Sequence, residues 1–243
     1  MGGVEWRDKV AVVTGASRGI GRAIAELFAR QGLRLTLVAR SQDALLAFCT
    51  EHTLSEARAL ICAGDLSDPF FPQKVVEQTV EHFGQLDVIV NNAGIAFPAS
   101  LEETTLEQWD LQMAVNVRAP FLICKAALPY LRRSQVPTIV NIASVVAYKG
   151  YVNQGAYTAS KHALLGFSKV LAREVHKDGI RGHVVSPGGV ATEMITSMRP
   201  DLDPSILVPP REIAEIVWFL ISKRGNAVID EVSVRRFSKE PWI

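Results

Sequence analysis

The residues of this sequence best suited to proton transfer are a tyrosine and a lysine four positions apart. They are Tyr157 and Lys161, in the run "YTASK", and on a helix this spacing places both side chains on one face, one turn apart. Free tyrosine has a pKa near 10, and an ammonium about 4 Å away favours the phenolate by up to ~4 kcal/mol at an effective dielectric of 20. The pair therefore predicts a phenol tuned for general acid–base chemistry. The alternative is a core tyrosine beside a lysine whose stem covers apolar surface.

A second candidate site follows the first predicted strand. The run "TGASRGIG" (14–21) has the spacing G-x-x-x-G-x-G. Glycines at a strand-to-helix turn let the backbone approach a pyrophosphate, whose charge the helix N-terminus stabilises. The alternative is that these glycines only permit a tight turn. Their position directly after the first strand favours a nucleotide site.

Five motifs in order along the chain resemble those of the short-chain dehydrogenase/reductase family. They are "TGASRGIG" (14–21), "NNAG" (91–94), Ser144, "YTASK" (157–161) and "SPGGVAT" (186–192). The resemblance runs from about residue 8 to residue 235. It implies a Rossmann-like fold, a nicotinamide cofactor, and hydride transfer between an alcohol and a carbonyl group.

The resemblance also implies four catalytic residues, which are Asn116, Ser144, Tyr157 and Lys161. Tyr157 would be the general acid–base, Lys161 would also hold the nicotinamide ribose, and Ser144 would hydrogen-bond the substrate oxygen. Asn116 would link Lys161 to a proton-relay water. Ser144 could instead be a cap or turn serine, and Asn116 a polar packing residue. Tyr148 and Tyr151 are close in sequence, but neither has a lysine four residues later.

Further positions are implied as contacts of the cofactor. They are Gly15, Ser17, Arg18, Gly19, Ile20, Gly21, Arg40, Asp65, Leu66, Asn92, Ala93, Gly94, Tyr157, Lys161, Pro187, Gly188 and Thr192. Two of them have structural alternatives. Asp65 could cap the next helix, and Thr192 could open a short helix near Glu193.

The end of the second strand predicts which dinucleotide binds. An enzyme specific for NAD places a carboxylate there for the adenosine ribose, but this chain has Ala39 followed by Arg40. A 2′-phosphate would meet no repulsion and could pair with Arg40, with Arg18 of the glycine loop as a second cation. We therefore predict NADP as the cofactor. The alternatives are an NAD-dependent alcohol or hydroxy-acid dehydrogenase, a noncatalytic NADP-binding sensor, or arginines that are only solvated charges.

The residues around the expected substrate pocket and the C-terminal sequence indicate the class of substrate. The expected pocket borders Ile95, Ala96, Phe97, Val145, Val146, Tyr151 and Gly189, with residues 193–207 as a lid, which favours an apolar ketone or a 3-oxoacyl-type compound. Many family members with these motifs are 3-oxoacyl-carrier-protein reductases and end in a strand and loop of the type V-D-G-G. This chain ends "IDEVSVRRFSKEPWI", which looks more like hydroxy-acid dehydrogenases and other carbonyl reductases of the family.

Composition limits the other function classes. The net charge of +1, with both signs interspersed, gives no support for a nucleic-acid partner. The three cysteines lack metal-ligand spacing, so no metal is expected. The N-terminus has no signal-peptide pattern, and we expect no apolar run to approach the roughly 20 residues that span a bilayer. We expect a cytoplasmic enzyme without a membrane partner, and a homodimer or homotetramer because the helices at 106–133 and 155–177 are apolar on more than one face.

Seven apolar, β-branched runs alternate with helical patterns. The runs are 10–14, 35–39, 59–63, 86–91, 138–144, 180–186 and 227–234. Continuous rather than alternating apolar residues are typical of strands covered on both faces. The predicted fold is a single α/β domain over 1–243, a doubly wound parallel sheet with a short N-terminal extension (1–7) and a C-terminal tail (236–243).

Overall fold

The computed structural model describes residues 5–199 and 201–241. Parts of the predicted N-terminal extension and C-terminal tail, and Pro200 within the predicted lid, lie outside these ranges. The strands are β1 (Val10–Thr14), β2 (Arg34–Ala39), β3 (Ala59–Ala63), β4 (Val88–Asn91), β5 (Thr138–Ile142), β6 (Arg181–Pro187) and β7 (Glu231–Val234). The α-helices are α1 (Gly19–Arg30), α2 (Gln42–Glu51), α3 (Phe71–Phe83), α4 (Leu106–Met113), α5 (Ala119–Leu131), α6 (Gly155–Val175), α7 (Glu193–Met198) and α8 (Pro210–Ser222).

The seven strands form one parallel sheet in the order β3-β2-β1-β4-β5-β6-β7. The strand order reverses between β1 and β4, where Ala11 pairs with Val88. In a sheet of this kind a crevice opens beyond the carboxyl ends of the strands at the reversal. The predicted doubly wound fold is confirmed.

Apolar side chains cover both faces of the sheet, which explains the continuous apolar strands. Along β1, Ala11 and Val13 pack in a core with helices α1, α2 and α8, whereas Val10 and Val12 pack in a second core with α3, α5 and α6. The side chains of successive strand residues point to opposite faces. Both faces of β1 are therefore buried, as the sequence predicts.

The ends of some elements differ from the sequence-based expectation. By residue type, Asp68 and Pro69 are a good N-cap and first-turn pair for α3, but they do not begin the helix. The Asp68 carboxylate accepts from the Phe70 amide at 3.0 Å in a turn, and α3 begins at Phe71 with Pro72 in its first turn. The seventh strand is limited to Glu231–Val234 instead of 227–234.

The sequence also predicts that Thr104 with Glu107 could cap α4, but the observed cap lies one residue later. Thr105 accepts from the Gln108 amide, and the Gln108 side chain accepts from the Thr105 amide. This reciprocal pair is a capping box, and glutamine serves in it as well as glutamate does.

The predicted long helix at 106–133 is divided. A π-helical turn, Ala114–Arg118, separates α4 from α5, and Pro120 lies in the first turn of α5. By length and composition the stretch Leu106–Leu131 could cross a membrane, although half of its apolar window is buried inside the protein. This corrects the expectation that no apolar run is long enough. A core helix of a soluble protein passes the same test, so the observation is weak evidence for a membrane.

Candidate active site

A cleft of about 1080 Å³ lies beyond the carboxyl ends of the strands. Its walls come from the glycine loop after β1, the segment after β4, the ends of β5 and β6, the first turns of α6, and α7. Ser144, Tyr157 and Lys161 line it together with all but one of the predicted cofactor contacts. The exception is Gly21, and Asn116 also lies behind the wall.

Tyr157 and Ser144 form the polar centre of the cleft. Ser144 follows β5 and Tyr157 lies in the first turn of α6, and their side chains share a hydrogen bond. The Ser144 hydroxyl also accepts from the Val146 amide at 3.3 Å and donates to the Pro187 carbonyl at 3.4 Å. Ser144 thus opens a short 3₁₀ turn and reaches the candidate acid. The turn role is confirmed, and the hydrogen bond to a substrate oxygen stays a prediction.

Lys161 is buried beneath the tyrosine. Its side chain is 3% exposed, and its Nζ donates to the Ile142 carbonyl at 2.9 Å. The Nζ lies 5.9 Å from the centre of the Tyr157 ring. Burial lowers the pKa of Lys161 to about 8.

The predicted lowering of the Tyr157 pKa is wrong for this structure. Burial raises the pKa of Tyr157 to about 12, and the hydrogen bond with Ser144 opposes part of that rise. The expectation assumed an ammonium near the phenol oxygen. Lys161 instead donates to the Ile142 carbonyl at the end of β5, and loss of solvation decides the direction of the Tyr157 pKa. Tyr157 is therefore protonated at neutral pH and is able to donate a proton.

Asn116 lies in the π-helical turn and is fully buried. Its carboxamide accepts from the Ile95 amide and donates to the Ile95 carbonyl, both at 2.9 Å. It also donates to Ser160 Oγ at 3.0 Å, and Ser160 donates to the Tyr157 carbonyl at 2.7 Å. Asn116 therefore joins one wall of the cleft to the first turn of α6. These bonds favour the packing and positioning interpretation, and the water-linking role stays a prediction.

The three glycines of the loop have different roles. Gly15 and Gly19 have φ angles of +68° and +56°, a region that glycine enters without steric cost. Gly21 lies on α1, where an added Cβ would be 2.2 Å from the Gly15 carbonyl oxygen. Gly21 thus permits close packing of the helix against the loop and does not face the cleft.

The "NNAG" motif supports the glycine loop from the neighbouring strand. Thr14 Oγ1 accepts from the amides of Asn92 and Ala93, each at 3.0 Å. The Asn92 carboxamide donates to the Thr14 carbonyl at 2.9 Å. The loops after β1 and β4 therefore form one unit along the cleft, and Ala93 and Gly94 continue its wall.

The adenosine end of the expected site carries positive charge. Ala39 and Arg40 line the cleft at the end of β2, as predicted. Within the described residues Arg40 has no ion pair, whereas Arg18 pairs with Glu193 at the start of α7. A carboxylate therefore contacts one of the two arginines that the sequence assigns to a phosphate.

The alternatives for Asp65 and Thr192 are resolved in part. Asp65 accepts from the Ser67 amide at 2.8 Å, so it forms a turn and does not cap α3. Thr192 precedes α7, but its hydroxyl donates to the Val190 carbonyl at 3.3 Å and makes no cap hydrogen bond. Both residues line the cleft, as do Leu66, Pro187 and Gly188.

The residues of the expected substrate pocket line the same cleft, which also has walls that the sequence analysis missed. All seven predicted pocket residues are in contact with it. Tyr148 differs from Tyr151, because it does not line the cleft and its hydroxyl lies 3.1 Å from Ser186 Oγ. The missed residues include Leu111, Gln154, Arg236 and Lys239, whereas Arg199 and Leu202 lie within the predicted lid. A signal for Arg236 and Lys239 was available, since "VRRFSK" follows the last strand at the carboxyl edge of the sheet.

The cleft fits a dinucleotide on several structural grounds. It continues from the left-handed Gly15 and Gly19 to Tyr157, and it offers amides at the start of α1 for a pyrophosphate. Arg40 is placed for a further phosphate. A nicotinamide dinucleotide bound there would supply or accept a hydride.

Comparison with known proteins agrees with this geometry. The short chain dehydrogenase family model matches residues 9–203. The 3-oxoacyl-[acyl-carrier-protein] reductase FabG of Escherichia coli is 35% identical over 236 residues, which cover 94% of this chain and 96% of the relative. Carbonyl reductase family member 4 of Xenopus laevis is 36% identical over 220 residues, covering 88% and 91% of the two chains. A metagenomic short-chain oxidoreductase crystallised with NADP superimposes with a TM-score of 0.83 at 33% identity, covering 95% of this chain and 99% of the other.

This chain belongs to the short-chain dehydrogenase/reductase family. It is an oxidoreductase acting on alcohol or carbonyl groups, and the family uses NAD or NADP. The predicted family, fold and enzyme class are confirmed. The NADP in the related structure agrees with the cofactor that the sequence predicts.

Proposed function

We propose that this enzyme reduces a carbonyl compound with NADPH. The observation that carries the proposal is the position of the Tyr157 phenol, which is buried and hydrogen-bonded to Ser144 in a cleft continuous with the glycine loop. A protonated phenol is the form that carbonyl reduction requires, because the substrate oxygen gains a proton as its carbon gains a hydride.

Ser144, Tyr157 and Lys161 have separate roles in that reaction. The Ser144 hydroxyl hydrogen-bonds the carbonyl oxygen and orients it, and Tyr157 donates its proton to the same oxygen. The resulting phenolate then recovers a proton from solvent. Lys161, with a pKa of about 8, is mostly charged at neutral pH and stabilises the phenolate one helical turn away. The apolar walls at Ile95, Phe97 and Val146 favour an apolar ketone or a 3-oxoacyl-type compound.

We also propose NADPH over NADH, since Ala39 leaves no carboxylate at the end of β2 and Arg40 lines the cleft beside it. The solved relative with NADP supports this choice. A homodimer or homotetramer and a cytoplasmic location stay predictions of the same proposal.

The test is the consumption of NADPH, followed by absorbance, with ketones, 3-oxoesters, aldehydes and diketones. Tyr157→Phe is expected to lower kcat by at least about a hundredfold, since it removes the proton donor, with NADPH affinity unchanged because the ring remains. Tyr148→Phe is the matched control, because that hydroxyl contacts Ser186 outside the cleft. A Tyr157→Phe enzyme with more than a tenth of the wild-type kcat would contradict the mechanism.

A further inference from the structure

The last strand leads into two neighbouring arginines with different surroundings. The Arg235 guanidinium donates to the backbone carbonyls of Arg236, Phe237 and Lys239, at 3.2, 3.3 and 2.7 Å. Arg235 thus folds the tail into a turn. Arg236 is half-buried, and its Nη1 atom is buried without a hydrogen-bond partner among the residues that the structure describes.

Arg236 stands beside the loop that contacts the catalytic serine. A Cβ built on Gly189 would lie 3.3 Å from Arg236 Cδ and 3.5 Å from its Nε. The neighbouring Gly188 amide donates to the Val234 carbonyl at 2.7 Å, and Pro187 accepts from Ser144. Arg236 therefore packs beside Gly189, two residues after the Pro187 carbonyl that accepts from Ser144. The side chains of Arg236 and Ser144 line the same cleft.

The nearby carboxylates already have partners. Asp201 accepts two hydrogen bonds from Arg199, at 2.8 and 2.6 Å. These bonds hold the pKa of Asp201 below its usual range, and the charge of Arg236 adds a smaller effect in the same direction. Glu193 pairs with Arg18. Among the described residues, this end of the cleft therefore has positive charge on Arg236 and Lys239 that no lining carboxylate neutralises.

A buried donor on a charged group without a partner is costly, and an anion placed against it recovers that cost. The planar guanidinium fork matches a carboxylate in two parallel hydrogen bonds. We propose that Arg236 is a specificity-determining residue that binds a carboxylate of the substrate, so that the preferred substrates are oxo acids with an apolar chain. This inference rests on the carbonyl reduction proposed above.

The experiment compares matched oxo acids and their methyl esters, over a series of chain lengths, in the wild type and in Arg236→Met. Wild-type kcat/KM is expected to favour the acid at the best chain length. Arg236→Met is expected to lower kcat/KM for that acid by about 10- to 100-fold, chiefly through KM, because it removes a charge-assisted contact. Turnover of the ester, which has no carboxylate for Arg236 to bind, is expected to fall much less than that of the acid. Arg236→Lys restores part of the loss, and Arg211→Met, an exposed arginine on α8, controls for net charge.

The outcomes separate this inference from the proposed function. If both variants at position 236 keep the wild-type ratio of acid to ester, or if Arg236→Met chiefly weakens NADPH binding, the carboxylate assignment is wrong while carbonyl reduction stands. If neither acid nor ester is reduced while other carbonyl compounds are, the carboxylate assignment is wrong; if no carbonyl compound of the wider panel is reduced with NADPH, the proposed function fails. Calorimetric titration with the corresponding hydroxy acid then still tests the assignment, which requires binding to the wild type and loss of binding in Arg236→Met.

Discussion

Burial moves the pKa values of Tyr157 and Lys161 in opposite directions, because it disfavours the charged form of each group. The pKa of the Tyr157 phenol rises to about 12, and the pKa of the Lys161 ammonium falls to about 8. At neutral pH the tyrosine keeps its proton and the lysine keeps most of its charge. Both groups are thus in the states that reduction of a carbonyl needs.

The depressed pKa of Lys161 predicts a stability cost that depends on pH. Between about pH 8 and the ordinary value of 10.5, the unfolded chain binds more protons than the folded one, so stability rises with pH across this window. Lys161→Met removes the buried charge but leaves the Ile142 carbonyl without its donor. At pH 6.5 we expect the variant, without cofactor, to be more stable by about 1–3 kcal/mol.

Urea unfolding at pH 6.5 and pH 9.5 measures this effect. The advantage of Lys161→Met should shrink at the higher pH, since the wild-type lysine is then largely neutral in the folded state. The Tyr157 phenol is present in both proteins, so its contribution cancels in the difference. A variant less stable than the wild type at both pH values would show that the Ile142 contact outweighs the desolvation of the ammonium.

Cofactor choice is also decided by single residues. Ala39→Asp together with Arg40→Ser should invert the preference from NADPH towards NADH, because it adds a ribose acceptor and removes a phosphate partner. One charge-assisted contact corresponds to about 10- to 150-fold in kcat/KM, expected chiefly in the KM for the dinucleotide. Steady-state kinetics with both dinucleotides check this. A wild-type kcat/KM higher with NADH than with NADPH would refute the assignment.

At the scale of elements, α1 reaches the glycine loop only because position 21 has no side chain. Gly21→Ala would place its Cβ 2.2 Å from the Gly15 carbonyl oxygen and 2.4 Å from the Asn92 side chain. The helix or the loop must shift, so we expect a loss of stability of at least about 1–3 kcal/mol and weaker dinucleotide binding. Thermal unfolding and NADPH titration measure both effects. Gly225→Ala, whose methyl group meets no atom within 4 Å, should change neither.

Helices α5 and α6 carry exposed apolar side chains on a shared surface. Phe121 is 44% exposed and packs edge-on against Phe167, and Val170 is 55% exposed. An exposed apolar surface of this kind is typical of an interface. We expect Phe121→Glu with Val170→Glu to yield a monomer in light scattering, whereas Leu46→Glu, at a similarly exposed position on α2, leaves the oligomer intact. A monomeric wild type at micromolar concentration would overturn the expectation.

At the scale of the whole molecule, the sequence predicts the sheet well because its strands are buried on both faces. The runs of β1, β3 and β4 are almost wholly apolar, and each lies near a turn or helix signal. The errors fall where local signals compete. Asp68 with Pro69 and Thr104 with Glu107 are acceptable cap pairs by residue type, but the N-caps are Phe70 and Thr105, and the helices begin at Phe71 and Leu106.

The sequence predicts the site residues that belong to a motif of fixed spacing. It does not predict properties that depend on contacts between segments distant in the chain. The glycine loop, Tyr157 and Lys161 were found from spacing. The pKa of Tyr157 could not be predicted from spacing, since it depends on burial and on the carbonyl to which Lys161 donates. The basic run "VRRFSK" marks the segment that contains Arg236, but the local sequence does not show that this side chain packs beside Gly189 and lines the cleft.

The parallel pairing of all seven strands has a consequence for the time course of folding. No two neighbouring strands of the sheet are joined by a hairpin. Val10 pairs with Arg34 on the far side of α1 in the chain, and three helices separate Ala11 from its partner Val88. The central β1–β4 pair, held by the buried Asp87 carboxylate on the Val10 amide, therefore cannot form until more than a third of the chain exists. Such non-local contacts make folding slow. During synthesis the apolar edge of β1 would remain unpaired on that side until residues 88–91 leave the ribosome, an interval in which a nascent chain is prone to aggregate.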